Sequence, residues 1–417
     1  MRWSLAGLLP WLSLIHLANG FPLATDLLFD IEEQNLTKTL FPRVRDPGGG
    51  SGTTPKTISE LFLLHDGGGS CKSKVDTLDG FLKEARQFHE VVQKAYAEPS
   101  GFNLLLWHAW FGVQPGPGFK EPATDSSNQA LWKTIGGIQS ISTFISFILR
   151  DLRTVLLAFL SGGGLVNPQV PNENPRLFCG SGAAELQSLD QRVRDHEGKD
   201  VVTRRDPETD EPIDYLKLGT LLAEVASHPD TRVFWFDSFK GYDVEGGGNS
   251  ELCPETGRVA AVSRPKTSWR TLDEDGATFT YGLANRHMLL CPRSFDAEAG
   301  KSHPIESLAA SMANYPKAGV KDTATFLDKL LPVGSTFYHE LYHLTDNDDT
   351  SDLTYKMGEI LEYAADEFIR TKNAHNPETY VMFAMAAYLF QKAPSDKLPA
   401  LYNGPYARSP EDPFSRL

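Results

Sequence analysis

The sequence predicts an α+β fold, with a small, mostly antiparallel sheet beside several helices. Apolar residues recur at helical spacing over Asp76–Ala97 and again from about residue 128 to 160. Short strand-like segments lie between Arg232 and Cys291, and helical spacing returns after Cys291. The 417 residues are 41% hydrophobic and 23% charged, which is typical of a globular protein and excludes wholesale disorder.

The first twenty residues have the features of a secretory signal peptide. Arg2 supplies a positive charge, Ser4–Ala18 is apolar, and Ala18–Gly20 offers small residues for cleavage. We therefore expect residues 1–20 to be removed and the mature protein to be secreted into the extracellular space. The even number of cysteines, four, fits disulfide bonds in an oxidising compartment.

The charge balance bears on possible partners. Lys and Arg number 40 against 54 Asp and Glu, a net charge of −14, which argues against nucleic acid as a partner. The apolar run Ile141–Leu160 carries Arg150, Asp151 and Arg153, which are costly in lipid. We expect it to be a partly buried helix, with no membrane association after signal cleavage.

The sequence also predicts the bounds of the N-terminal segment, of two helices and of four strands. Residues 21–70 contain two glycine-rich stretches and are expected to be a propeptide or a linker. The second helical stretch is expected to break or bend near Gly136 and Gly137, and the last helix to span Pro377–Lys392 before Pro394. The predicted strands are Arg232–Phe236, Arg258–Ser263, Thr278–Gly282 and Met288–Cys291.

The segment His339-Glu340-Leu341-Tyr342-His343 has the pattern HExxH. Residues four apart lie on one face of a helix, so both imidazoles can bind one zinc ion. Glu340 lies beside them, where a carboxylate can accept a proton from the attacking water. The pattern thus predicts an active-site helix with one Zn²⁺. The remaining His287, His303 and His375 have no partner at ligand spacing and are expected to be ordinary polar residues.

A zinc ion held by two histidines needs a third protein ligand, and spacing leaves two candidates. Asp352 lies nine residues after His343. Glu362 lies nineteen residues after it, a spacing that glutamate-liganded metallopeptidases use. Asp366, four residues beyond Glu362, could support a histidine ligand in that case. On spacing alone the two candidates remain open.

The segment Thr350-x-Asp352-x-x-Tyr355 resembles an element of the aspzincin metalloendopeptidases, the deuterolysin and peptidyl-Lys metalloendopeptidase family. There, HExxH is followed by Gly-Thr-x-x-Asp-x-x-Tyr-Gly, although Lys356 replaces the last glycine here. Weaker similarity is found at Cys71 and the helix after it, and in the segments Trp107–Gly112, Leu289–Pro292 and Asn376–Tyr380.

The resemblance implies a zincin-like metallopeptidase fold over residues 71–395, with an insertion around 113–220 and an irregular tail over 396–417. It implies Asp352 as the third zinc ligand and Tyr355 as a hydrogen-bond donor to the oxyanion. We therefore expect a secreted metalloendopeptidase that hydrolyses peptides or proteins, with Glu340 as general base. The alternative is a catalytically inactive zinc-binding protein on the same scaffold. No oligomeric state is predicted.

The resemblance also bears on specificity and on the disulfides. Lysine-specific members use an acidic pair whose positions match Glu378 and Val381 here. Only one acid remains, so we expect no strict lysine preference. We further expect Cys253 to pair with Cys291 and Cys71 with Cys179. A strand before Cys291, such as Thr278–Gly282, is expected to bind the peptide by strand addition.

Overall fold

The computed structural model describes residues 56–148, 175–195, 197–222, 230–245, 251–254, 260–263, 269–274, 277–283, 287–297, 303–345, 350–411 and 413. The expected signal peptide lies outside these residues. So does most of the segment 21–70, together with the end of the helix expected to reach Leu160.

The described chain begins and ends with runs of helices, and most of its strands lie between them. The helices are α1 (Ile58–Leu61), α2 (Val75–Ala97), α3 (Gly101–Phe111), α4 (Ser126–Ile148), α5 (Leu218–Leu221), α6 (Leu308–Ala313), α7 (Gly334–Thr345), α8 (Met357–Ala365), α9 (Arg370–Asn373) and α10 (Pro377–Gln391). The strands are β1 (Leu63–Leu64), β2 (Arg176–Phe178), β3 (Glu185–Gln187), β4 (Val202–Arg205), β5 (Pro212–Tyr215), β6 (Arg232–Phe236), β7 (Gly241–Glu245), β8 (Ala260–Ser263), β9 (Trp269–Glu274), β10 (Ala277–Leu283) and β11 (His287–Leu290). The expectation of an α+β fold is confirmed.

The strands form three separate sheets among the described residues, where the sequence predicts one. A four-stranded sheet has the order β1-β2-β11-β8, and its pairs are parallel except β11 with β8. A five-stranded sheet has the order β3-β6-β7-β10-β9 and is antiparallel except for β7 with β10. Strands β4 and β5 form a separate antiparallel hairpin.

The core that surrounds the candidate site is built mainly from helices. Helix α7 packs against α2, α4 and α10, and it also contacts strands β8 and β11 of the four-stranded sheet. Helix α10 is buried from Pro377 to Leu389, as expected for a helix that is apolar on every side. Trp107 and Trp110 of α3 are fully buried and belong to this core.

Helix α4 runs without interruption through Gly136 and Gly137, contrary to the break that the sequence predicts. A side chain at position 136 would collide with the hydroxyl of Tyr96 on α2. Gly136 therefore serves the close approach of α4 to α2. Tyr96 in turn stacks on Trp132 of α4, with ring centroids 4.7 Å apart.

The chain on both sides of the main helical region contributes to the core. Ile58, Leu61 and Phe62 are buried there, and β1 pairs with β2. Residues 396–411 contain no helix or strand, yet Leu401 and Tyr402 are fully buried. The core thus includes residues on both sides of the main helical region. Described residues before Cys71 and after Lys392 contribute buried side chains to it.

Two disulfide bonds link distant parts of the chain. Cys71 pairs with Cys179 and Cys253 with Cys291, with Cα atoms 5.0 and 5.3 Å apart. Both expected pairings are confirmed. Among the described helices, none is long and apolar enough to cross a membrane.

Candidate metal centre

Helix α7 carries the HExxH segment through the interior of the protein. Phe337, Tyr338 and Tyr342 on this helix are all 1% exposed or less. At its start, a side chain on Gly334 would collide with Glu84 of α2. The absence of a side chain there allows α7 to lie against α2, which anchors the helix before its functional residues begin.

The two histidines of the segment lie side by side on α7. His339 and His343 are 2% and 8% exposed, and their ring centroids are 5.0 Å apart. The spacing of four residues brings them to one face of the helix, as the sequence predicts. Burial of two imidazoles on one face leaves their ring nitrogens dependent on polar partners within the site.

The loop over residues 350–356 brings an acid to these histidines. The backbone N–H of Ser351 donates to the carbonyl of His375 at 3.0 Å. The side-chain amide of Asn376 donates to the carbonyl of Thr354 at 2.9 Å. These two bonds attach both sides of Asp352 to the start of α10, so the position of the acid is fixed by the buried helix.

His339, His343 and Asp352 form a group that could hold a metal ion. Oδ1 of Asp352 lies 3.0 Å from Nε2 of His339 and 2.8 Å from Nε2 of His343. All three donor atoms lie within 4.8 Å of one another. The ligand atoms of a tetrahedral zinc ion are about 3.3 Å apart, so only small movements are needed to admit the ion. The donor set therefore fits the metal that the sequence predicts.

The ionisation of the group is governed by the same contacts. Burial raises the pKa of Asp352, but hydrogen bonds from His339 and His343 outweigh it and hold the pKa far below its usual range. Burial lowers the pKa of His339, whereas its bonds to Asp352 and Glu378 and the charge of Glu340 raise it to about 10. A metal ion entering this site must therefore displace a proton from His339.

The second nitrogen of each ring also has a partner. Nδ1 of His339 lies 3.0 Å from Oε2 of Glu378, on α10. Nδ1 of His343 lies 3.2 Å from the hydroxyl of Thr350. Both Nε2 atoms consequently face Asp352, which is the orientation that metal binding requires.

Glu340 and Tyr355 are placed beside this group. Glu340 is 6% exposed, and its charge contributes to the raised pKa of His339. The ring of Tyr355 stacks on that of His339, with centroids 5.4 Å apart and planes inclined by 17°. Burial and the charge of Asp352 raise the pKa of the Tyr355 hydroxyl, which keeps it protonated as a donor.

The alternative third ligand does not join the group. Glu362 is exposed on α8 and is not among the described residues that could share a metal ion with the histidines. His287, His303 and His375 are not part of the group either. Lys356, at the position of the family's glycine, has φ −93°, which any residue adopts, so the lysine introduces no strain.

The positions that match the family's lysine pocket are both inaccessible. Glu378 and Val381 are 0% exposed, and Glu378 faces His339. The resemblance matches Glu378 to a pocket acid, and its contact with His339 is not predicted from the sequence. The available signal was an acid at the start of an otherwise apolar helix, since a buried acid needs a polar partner.

Comparisons with known proteins give little guidance. The chain matches no protein-family model and no solved structure. A protein of Penicillium expansum described as a non-secreted LysM effector, LysM17, is 37% identical over 147 residues. The match covers 35% of this chain and 17% of that protein, so the chain spans about a sixth of the relative's length. A match of this extent shows no family for the chain.

Proposed function

We propose that this protein is a zinc-dependent metalloendopeptidase of the aspzincin type, with a zincin-like fold. The observation that carries the proposal is the position of Asp352, whose Oδ1 lies within 3.0 Å of Nε2 of both histidines of the HExxH helix. This grouping of donor atoms supports the His, His and Asp ligand set that the resemblance implies.

Zinc is the metal that suits this donor set. Two imidazole nitrogens and one carboxylate leave a fourth position open, which is typical of catalytic rather than structural zinc sites. A bound zinc ion would polarise the scissile carbonyl and make the attacking water more acidic. Nothing in the chemistry of the site calls for a second ion.

The residues of the chain supply the remaining chemistry. The Glu340 carboxylate accepts the proton of the attacking water and then delivers it to the leaving amine. The Tyr355 hydroxyl donates a hydrogen bond to the oxyanion that develops on the substrate carbonyl. A general base beside two metal ligands has no purpose in a site that only stores metal, which favours catalysis over simple binding.

The substrate is proposed to be an extended peptide segment of a protein. The strand expected to bind it, Thr278–Gly282, lies in β10 of the five-stranded sheet. Strand β8 is the better candidate, because it packs against α7 and ends the four-stranded sheet among the described strands. Peptide addition to β8 would bring the substrate backbone alongside the metal helix.

Secretion remains part of the proposal. The two disulfide bonds fit an oxidising compartment, and the expected signal peptide supplies the route. The Penicillium protein is described as non-secreted, which makes the location worth a direct test. N-terminal sequencing of protein recovered from the medium should begin near Phe21, and retention of Met1 on an intracellular product would contradict secretion.

A peptide library tests the proposed activity. The full chain and its Glu340→Gln variant are incubated with mixed peptides, and the bound zinc of each is measured. We expect cleavage by the wild type alone, with about one zinc ion on both proteins. Zinc on both proteins without cleavage, before and after removal of residues 21–55, would instead support the inactive zinc-binding protein.

A further inference from the structure

The carboxylate of Glu378 is fully buried although it is an acidic group. Its side chain is 0% exposed, at the start of α10, thirty-nine residues from His339 in the chain. A carboxylate without solvent is costly unless charged or hydrogen-bonded partners compensate it. The side chain must therefore be held there by what it contacts.

One oxygen of Glu378 is committed to a metal-binding histidine. Oε2 lies 3.0 Å from Nδ1 of His339, while Nε2 of the same ring faces Asp352. An ionised carboxylate only accepts hydrogen bonds, so Nδ1 must carry the proton in this contact. The lone pair that binds a metal is thereby assigned to Nε2.

The other oxygen faces a second histidine. Oε1 lies 3.6 Å from Nε2 of His303, and neither atom has a hydrogen-bond partner among the described residues. Nδ1 of His303 lies 2.8 Å from the hydroxyl of Thr336, on α7. Thr336 thus holds the ring of His303, whose Nε2 lies beside the second oxygen of Glu378.

We propose that Glu378 is a positioning residue for the metal centre, which fixes the ring orientation and tautomer of His339. The inference rests on the proposed function only through its metal site. This role distinguishes the protein from the lysine-specific members of the family. Glu378, the acid at the matching position, supports His339 and is not accessible to a substrate side chain.

The effect of Glu378 on metal binding can be measured without activity. Partners that support metal ligands typically contribute about 10- to 100-fold to metal affinity. The variant Glu378→Gln keeps the size of the side chain but replaces a charge-assisted hydrogen bond with a weaker, neutral one. We expect its zinc affinity to fall by about 10-fold, whereas the matched variant Glu362→Gln should bind zinc like the wild type.

A spectroscopic readout distinguishes positioning from a merely structural role. In the Co²⁺-substituted protein, the Nδ1–H protons of the two ligand histidines give separate, paramagnetically shifted NMR signals. We expect Glu378→Gln to speed the exchange of the His339 proton with solvent and to leave the His343 proton, which faces Thr350, unchanged. A general loss of stability would instead speed the exchange of both protons, because both are protected by the fold.

The outcomes separate the inference from the proposed function. If the wild type binds zinc but Glu378→Gln changes neither the affinity nor the NMR signal, the positioning role is refuted and the proposed function stands. If the wild type binds no zinc, both are refuted. Should Glu378→Gln not fold, Glu378→Asp keeps the charge but retracts the carboxylate, and the same losses are expected.

Discussion

The ring of Tyr355 lies parallel to that of His339, with the two centroids 5.4 Å apart and the planes inclined by 17°. Tyr355 is nevertheless 50% exposed, whereas His339 is 2% exposed. The stacking contact joins a half-exposed side chain to the buried imidazole of a candidate metal ligand. In the proposed mechanism, Tyr355 acts on the substrate without belonging to the ligand set.

Removal of the Tyr355 hydroxyl should affect turnover more than binding. Tyr355→Phe keeps the ring stacked on His339 but deletes the donor to the oxyanion. Loss of one such donor costs about 10²-fold in kcat, whereas KM and zinc affinity should be nearly unchanged. The control is Tyr363→Phe on α8, which should retain full activity. Equal kcat values for the two variants would remove Tyr355 from the proposed mechanism.

His89 should make the protein sensitive to acid. Its side chain is 1% exposed, its ring nitrogens lack hydrogen-bond partners among the described residues, and burial lowers its pKa from 6.5 to about 3. The unfolded chain therefore binds a proton below pH 6.5 that the folded protein does not bind until about pH 3. The stability due to neutral His89 is present above pH 6.5 and is lost as the pH falls through that interval.

The variant His89→Leu isolates this effect from other titrating groups. Urea unfolding of both proteins in EDTA at pH 7 and pH 4 gives the difference in their free energies of unfolding. Between the two pH values, this difference should shift by about 3 kcal/mol in favour of the leucine variant. An unchanged difference would show that His89 is either hydrated or protonated in the folded protein.

The two disulfides should differ in their contribution to stability. Cys71–Cys179 closes a separation of 108 residues and Cys253–Cys291 one of 38. In the chain-entropy account, the longer loop stabilises the folded state by about 1 kcal/mol more. The double variant Cys71→Ser/Cys179→Ser should therefore unfold at lower denaturant than Cys253→Ser/Cys291→Ser. The reverse order would mean that local contacts, rather than loop length, dominate.

Short sequence patterns predict the parts of the site whose residues lie near one another along the chain. His339 and His343 are one helical turn apart, and Asp352 follows on the next loop, so spacing and resemblance indicate all three. The strand Arg232–Phe236 and the helix ending near Gln391 are likewise visible as periodic segments. In each case the pattern that allows the prediction occupies a short stretch of sequence.

Contacts between residues that are far apart in the sequence could not be predicted in this way. Glu378 reaches His339 from another helix, and its acidic side chain gives no indication of its partner. The order β1-β2-β11-β8 depends on pairing across more than a hundred residues. The continuity of α4 at Gly136 depends on where Tyr96 lies. These features follow from packing among distant segments, which periodicity does not encode.

The most direct test of the account is the zinc content of three purified proteins: the wild type, Asp352→Ala and Glu362→Ala. After dialysis against a weak chelator, metal analysis should find about one zinc ion per chain in the wild type and in Glu362→Ala. Asp352→Ala should lose most of its zinc, because two histidines alone hold the ion poorly. Retention of zinc by Asp352→Ala, or its loss from Glu362→Ala, would contradict the proposed centre.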